Sequence, residues 1–380
     1  MEIITWYQDN FESSLKGRYI TSKDIFPLVN SYRNRFEVSH IGLSELGLEI
    51  PLLKIGNGRN VILAWSQMHG NESTTTKALF DIFKFFAQAD FFQKEILQFL
   101  ENNSFYIIPM LNPDGAQSYT RENANGIDLN RDAQNLSQSE SRCLRSLFDD
   151  LQPDLCLNMH DQRSIYGFEN GLPATISFLS PAADAERSLT PERIKAMEGI
   201  LTMEKFLNKL IPGQIGRYDD SFNPNCVGDT FQMSGMPTIL FEAGHSHQDY
   251  NREKSREYVF YGILALFNII GDKESRSYNQ YFEIPQNLKN YCDLIIRNIH
   301  LKDYTHPVDI AIQYKELLTD GNINFIPELE EIGNLNYKFG HKEVTQKFLQ
   351  ELTKNENLLT NNVKVSEILE IWRGYLSLFH

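Results

Sequence analysis

The sequence predicts an α/β fold: a mixed, largely parallel sheet with helices on both faces, plus a smaller C-terminal region. Three observations carry this. Apolar runs of strand length alternate with segments of helical period through to about Ile270, the pattern of strand–helix–strand units. The chain's most distinctive polar residues, His69 with Glu72, His160 and Glu242, all fall just past the ends of predicted strands, where open α/β sheets bind ligands. After Gly271 the alternation stops at the polar run Asp272–Ser277, which reads as a linker between residues 1–271 and an accessory region over 278–380.

Composition narrows the function classes. With 380 residues, 41% hydrophobic and 23% charged, the chain can bury a sizeable core and reads as an ordinary globular protein. Its net charge of −14 argues against nucleic acid and anionic membrane as partners, since both are bound mainly through Lys and Arg. The four cysteines form no Cys-x-x-Cys pair, as expected of buried thiols in a reducing compartment. The first residues, Met1–Asp9, show no basic and apolar signal pattern. The most apolar run, Tyr258–Ile270, is interrupted by Gly262 and Asn268 and is short of the ~20 residues a membrane span needs, so it reads as a buried helix. A cytoplasmic location is expected.

Taken in order, the N-terminal stretch ends in the strand-like Leu48–Ile55, where Pro51 suits a strand start or a sheet edge. A Gly56-Asn57-Gly58 turn leads into a strand over Val61–Trp65, then a helix from Ser73 to Phe86 with Ala78, Leu79, Ile82, Phe83 and Phe86 on one face. The strand Phe105–Pro109 runs into Asn112-Pro113-Asp114-Gly115, a strong turn signal. A polar loop over Arg121–Asp132, a helix over Ser139–Leu151 and a strand over Leu155–Met159 bring the chain to His160. Thr190-Pro191-Glu192 opens a helix running toward Leu210. The strand Pro237–Phe241 delivers Glu242. Beyond the linker, Leu294–Ile299 and Ile310–Tyr314 read as strands, and an amphipathic C-terminal helix carries Ile368, Leu369, Trp372, Tyr375 and Leu376.

His69 and Glu72, three residues apart at a strand-to-helix turn, can both face one metal ion. Imidazole nitrogen with carboxylate oxygen suits zinc, whose catalytic sites keep three protein ligands and one open position. Together with His160, the loop Arg121, the Asn130-Arg131 pair and Glu242, and with Asn112–Gly115 before the run Gly126–Arg131, the pattern resembles the zinc carboxypeptidase family over residues 30–270. The resemblance implies one zinc ion per chain held by His69, Glu72 and His160. It implies Glu242 as the general base toward zinc-activated water and Arg121 as the group that steadies the oxyanion. Asn130 and Arg131 would grip the terminal carboxylate of a peptide or small acyl-amino-acid substrate, and Tyr218 would close over it.

Blander roles exist for each residue. His160 could be a satisfied core histidine, Arg131 could pair with Asp128 or Asp132, and Glu242 could cap a strand end; as a set they read better as a zinc site. Gly244-His245-Ser246-His247 reads as a solvated loop, not a second metal tract. In the region expected to set side-chain preference, Val227-Gly228-Asp229-Thr230, Gly228 would leave room and Asp229 would favour a basic residue; a one-residue shift exchanges them. The main expectation is a zinc metallocarboxypeptidase. Peptidoglycan-peptide amidase, N-acyl amino acid deacylase and a non-catalytic binding module are the alternatives.

Overall fold

The computed structural model describes residues 2–272, 276–353 and 363–376. It resolves into two compact units, one formed by Met1–Gln162 and Ala174–Asn287, the other by Arg163–Pro173 and Leu288–His380. The first unit carries eight strands: β1 (Glu37–Leu43), β2 (Glu49–Ile55), β3 (Asn60–Ser66), β4 (Asn103–Ile108), β5 (Leu155–Asp161), β6 (Ile176–Leu179), β7 (Ile215–Arg217) and β8 (Thr238–Ala243). They form one sheet in the order β1-β2-β4-β3-β5-β8-β6-β7. The central four, β4-β3-β5-β8, are parallel, while β1 and β2 on one flank and β6 against β8 on the other are antiparallel.

The pleat of β3 shows how the sheet separates two cores. Ile62 and Ala64 join the cluster containing Ala78, Phe83, Ile200 and Phe260, whereas Leu63 and Trp65 join the one containing Leu144, Phe148, Val227 and Phe231. Alternate residues of a strand point to opposite faces, so both faces are covered. On the first side lie α1 (Glu2–Asn10), α2 (Ser22–Ser31), α3 (Thr74–Gln88), α4 (Gln93–Asn102) and, later in the chain, two further helices. On the second lie α6 (Ser139–Leu151), which follows the short α5 (Pro113–Ser118), and α8 (Val227–Met233). The remaining pair are α7 (Pro191–Leu207) and α9 (Glu253–Leu266). The Thr190 hydroxyl accepts from the Arg193 N–H at the start of α7, with Pro191 at the first helical position, as expected; the helix stops at Leu207.

Pro51 sits inside β2, a strand paired on both sides. It is tolerated because β4 pairs only with Leu53, Lys54 and Ile55, and because β1 carries a bulge between His40 and Gly42 beside it.

One buried charge network stitches the N-terminal arm to the unit. The Arg256 guanidinium makes a fork to Asp81, with both bonds at 2.7 Å and both side chains fully buried. It also donates to the carbonyls of Leu15 and Glu12, while Asp81 accepts from the Glu12 N–H and the Tyr7 hydroxyl. A buried ion pair is tolerated when its remaining hydrogen-bonding capacity is filled in this way.

The divide between the units falls at Asn287/Leu288 and not at the polar run. Residues 273–275 of that run lie outside the described residues, and the 3-10 stretch Tyr278–Glu283 still belongs to the first unit. In the second unit β9 (Tyr291–Ile299), β10 (Val308–Thr319), β11 (Asn322–Gly333) and β12 (Phe339–Thr345) form a four-stranded sheet, order β11-β10-β9-β12, with α10 (Gln346–Thr353) and α11 (Val365–Leu376). Ile368 and Trp372 of α11 are buried with Leu294, Ile296, Ile310 and Ile312. The excursion Arg163–Pro173 is part of this unit: Gly167 and Leu288 exchange backbone hydrogen bonds, and the His341 ring contacts the Ser164 carbonyl at 2.7 Å. Among the described residues no helix is long and apolar enough to cross a membrane.

Candidate metal centre

β3 ends at Ser66, and Gln67 then takes a left-handed backbone conformation with φ of 50°. Outside glycine such a conformation persists where the surroundings over-determine it. The buried Gln67 amide donates to the carbonyls of Ile20 (2.8 Å) and Gly70 (2.9 Å), and its oxygen accepts from Thr76 Oγ1 (3.0 Å). This turn carries Met68–Glu72 off the end of the strand. Gly70 is needed for close approach, because a Cβ there would lie 1.9 Å from the carbonyl carbon of Gly115. Asn112 secures the same junction: its oxygen caps the first turn of α5 at Gly115 (2.8 Å), and its amide reaches the carbonyls of Met68 (3.1 Å) and Glu122 (3.2 Å). The Asn112–Gly115 motif is thus a helix start that clamps two site loops together.

His160 and Glu242 lie inside β5 and β8, each strand running further than its apolar stretch. They are register partners across the parallel pairing. Such partners are about 4.8 Å apart, so the carboxylate-bearing Glu242 stands beside His160 at the same level of the sheet.

Three donor groups converge. His69 Nδ1 is 2.9 Å from Glu72 Oε1, His160 Nδ1 is 3.0 Å from Glu72 Oε2, and the two Nδ1 atoms are 3.1 Å apart. Among the described residues this is the set of His, Cys, Asp and Glu side chains close enough to share a metal ion. With ligand bonds of about 2.0–2.1 Å, the edge of a tetrahedron around zinc is ~3.3 Å, close to these separations. With Nε2 of His69 engaged by Asp128, its Nδ1 can present a lone pair beside His160 Nδ1 and the Glu72 carboxylate, a donor set that fits zinc.

The electrostatics of the two histidines differ. Burial holds His160 below the usual histidine range, hence neutral, as a ligand must be. Burial acts on His69 the same way, but Glu72 and the Asp128 hydrogen bond outweigh it and raise it. Glu72 is held well below the usual carboxylate range: burial opposes its charge, and the two histidines overcome that. Glu242 is pushed well above that range by burial first, then by Glu72 and Asp161, with Arg121 pulling the other way. A carboxylate raised in this manner is suited to holding a proton near neutral pH.

Sequence reasoning had Asp128 only as a rival partner for Arg131. Its Oδ1 instead accepts from His69 Nε2 at 3.0 Å, which turns Nδ1 toward the other donors, and its Oδ2 accepts from Arg121 Nε at 3.0 Å. Burial works against the Asp128 charge, yet the His69 and Arg121 contacts hold its carboxyl far below the usual range. A carboxylate behind a ligating histidine fixes its tautomer and orientation. Arg121 stands at the rim, Nη1 3.2 Å from His69 Nδ1 and 3.3 Å from Glu72 Oε1.

Asn130 and Arg131 form the 3-10 turn Leu129–Arg131, tied to the centre because Asp128 Oδ1 also accepts from the Asn130 N–H (2.9 Å). Asn130 Oδ1 accepts from the Val227 N–H at 3.1 Å, at the start of α8. Arg131 is exposed and pairs with neither Asp128 nor Asp132, whose carboxylate caps Ser137 and Gln138. Its Nη1 donates to the Asn130 carbonyl (2.7 Å) and to Cys226 Sγ (2.8 Å), leaving Nε and Nη2 unbonded among the described residues. Tyr218 follows β7, three strands from β5 in the sheet order, with its backbone N–H on the Phe178 carbonyl. In α8, Gly228 packs against Pro181 and Asn158, so it is a close approach and not open space, while Asp229 is buried and pushed up to about 6, chiefly by desolvation. His245 is buried against Tyr250, contrary to the solvated loop expected there.

A sequence profile described as zinc carboxypeptidase matches residues 25–159. Over that stretch the chain is similar to the zinc carboxypeptidases. The matched stretch holds His69, Glu72, Arg121, Asn130 and Arg131 and stops one residue before His160. Mouse carboxypeptidase M is 29% identical over 211 residues, 49% of this chain and 44% of that protein, so the chain spans less than half the length of this curated relative. Similar solved structures share the carboxypeptidase fold. The metallo-carboxypeptidase of Burkholderia cenocepacia aligns with a TM-score of 0.53 at 16% identity, over 66% of this chain and 69% of that one. Carboxypeptidase A of Helicoverpa armigera aligns with a TM-score of 0.52 at 14% identity, over 70% and 80%.

Proposed function

We propose that the protein is a zinc-dependent metallocarboxypeptidase that hydrolyses the C-terminal peptide bond of peptides. The observation that carries this is the convergence of His69, Glu72 and His160 on one point, with Glu242 in register beside His160. One zinc ion per chain is held by those three side chains. When bound, zinc supplies Lewis-acid chemistry and brings the pKa of water from 15.7 to about 7.

The chain's own residues do the rest. Glu242 accepts the proton of the attacking water and hands it to the departing amine, a role its raised affinity for protons supports. Arg121, anchored through Nε on Asp128, points Nη1 at the rim where the carbonyl oxygen gains charge. Arg131 offers the edge of its guanidinium fork that is unbonded among the described residues to the substrate's terminal carboxylate, with Asn130 beside it. Tyr218 is assigned to closure over the bound terminus. The four free cysteines suit a reducing compartment, and we place the protein in the cytoplasm.

Metal analysis with an activity control tests the reading. Purified protein should hold one zinc per chain and cleave N-blocked peptides, with a chelator abolishing the activity. His160→Ala should lose most of the metal, and unchanged stoichiometry in that variant would sink the ligand assignment.

A further inference from the structure

The two metal-ligating segments are far apart in sequence, and the structure joins them through one residue outside the ligand set. Asp161 follows His160 at the end of β5 and is buried. Its backbone N–H donates to Glu72 Oε2 at 3.1 Å. Its carboxylate Oδ2 accepts from both the N–H (3.1 Å) and the hydroxyl (2.6 Å) of Thr74, the first residue of α3. Glu72 and Thr74 are separated by one residue, so these contacts close a ring through residues 72–74 and 161. The side chain pins the strand end to the helix start while the backbone of the same residue holds the Glu72 carboxylate.

Either bond alone would be ordinary. Helix starts leave N–H groups without partners, and a carboxylate there is favourable. The combination does more, because the orientation of Glu72 relative to His160 depends on where the residue 161 N–H stands, and Thr74 sets that through Asp161. Ser66 contacts Thr75 and Thr76 at 2.7 and 2.9 Å, so the first turn of α3 is itself anchored to β3.

We propose that Asp161 is a positioning residue for the metal centre, bridging α3 to the end of β5 so that Glu72 and His160 meet in ligand geometry. This rests on the zinc reading above. Asp128 supports His69 directly through its carboxylate, whereas Asp161 supports Glu72 through its backbone N–H, with its carboxylate fixing that N–H from Thr74.

The test measures zinc affinity of apo-protein by competition with a chromophoric chelator, alongside the visible spectrum of the cobalt(II)-loaded protein and the Tm. Asp161→Ala should weaken zinc binding about 10- to 100-fold, the range usual for partners one step behind a ligand, and alter the cobalt spectrum. Asp161→Asn, whose amide oxygen can still accept from Thr74, should recover most of that affinity. Thr74→Val removes the hydroxyl bond and should weaken binding less than Asp161→Ala, serving as the deciding variant if the alanine form does not fold. Thr190→Ala removes a helix cap remote from the ligands and should lower Tm without changing zinc affinity. If the Asp161 and Thr74 variants bind zinc like the parent, or only in proportion to lost Tm as Thr190→Ala does, the positioning role is wrong. Parent protein that takes up no zinc would instead overturn the metal reading itself.

Discussion

Arg131 gives the sharpest test of exopeptidase action. Its Nη1 is engaged by the Asn130 carbonyl and Cys226 Sγ, while Nε and Nη2 have no partner among the described residues. If that edge receives the substrate's carboxylate, deleting either charge removes the same contact. A charge-assisted hydrogen-bonded pair contributes about 1.5–3 kcal/mol. Arg131 is exposed, so solvent screening places the expected loss toward the lower part of that range. We expect Arg131→Ala to lower kcat/KM on a free-acid peptide by ~10- to 50-fold. Amidating the peptide's C-terminus should cost the unmodified enzyme a similar factor. On the amidated peptide the mutation should change little, because its partner is already gone, so the four rate constants form a double-mutant cycle with strong coupling. Equal cleavage of acid and amide by the unmodified enzyme, or additive losses in the cycle, would refute the clamp and the exopeptidase reading with it.

Two further outcomes are expected. Glu242→Gln should keep its zinc and lose about 10²–10⁴ in kcat, since the amide has nearly the carboxylate's shape and cannot take the proton; a loss below tenfold would exclude Glu242 as the base. Asp229, raised to about 6 from 3.8 by burial, binds its proton more tightly folded than unfolded. Its favourable contribution to stability is therefore present below about pH 4 and is lost as pH rises through about 6. Asp229→Asn should raise Tm at pH 7.5 and leave it nearly unchanged at pH 4, and a pH-independent difference would contradict this.

The ligand-bearing strand ends were legible because parallel strands in the middle of a sheet are long apolar runs that stop where the chemistry begins. Val61–Trp65 and Leu155–Met159 lie in β-strands, the run Pro237–Phe241 does so from Thr238 onward, and α6 has the limits its pattern gave. Short flanking strands were not legible. Ile176–Leu179 and Ile215–Arg217 carry too few residues to show a period, and β11, rich in Glu, is a strand because β10 pairs along its whole length. The supporting carboxylates escaped for a different reason. Nothing in the local sequence distinguishes Asp128 or Asp161 from a solvated aspartate, since their roles come from partners 59 and 87 residues away. The divide between units was displaced because the strand over Tyr291–Ile299 takes in the Arg163–Pro173 excursion, a pairing that no linker composition signals.

The buried Arg256–Asp81 network also constrains how the chain is made. Leu15 and Arg256, hydrogen-bonded in the folded protein, are 241 positions apart. At the usual synthesis rate of about 5–20 residues per second, the first helix leaves the ribosome about 12–50 s before the guanidinium that will hold it exists. Asp81 emerges in the interval as a carboxylate whose native surroundings still lack their cation. The arginine half of the network therefore forms only after α9 has been translated. Nascent chains released or stalled before Arg256 should expose a less firmly held amphipathic helix, the kind of surface that recruits chaperones, whereas chains that pass it can complete the network.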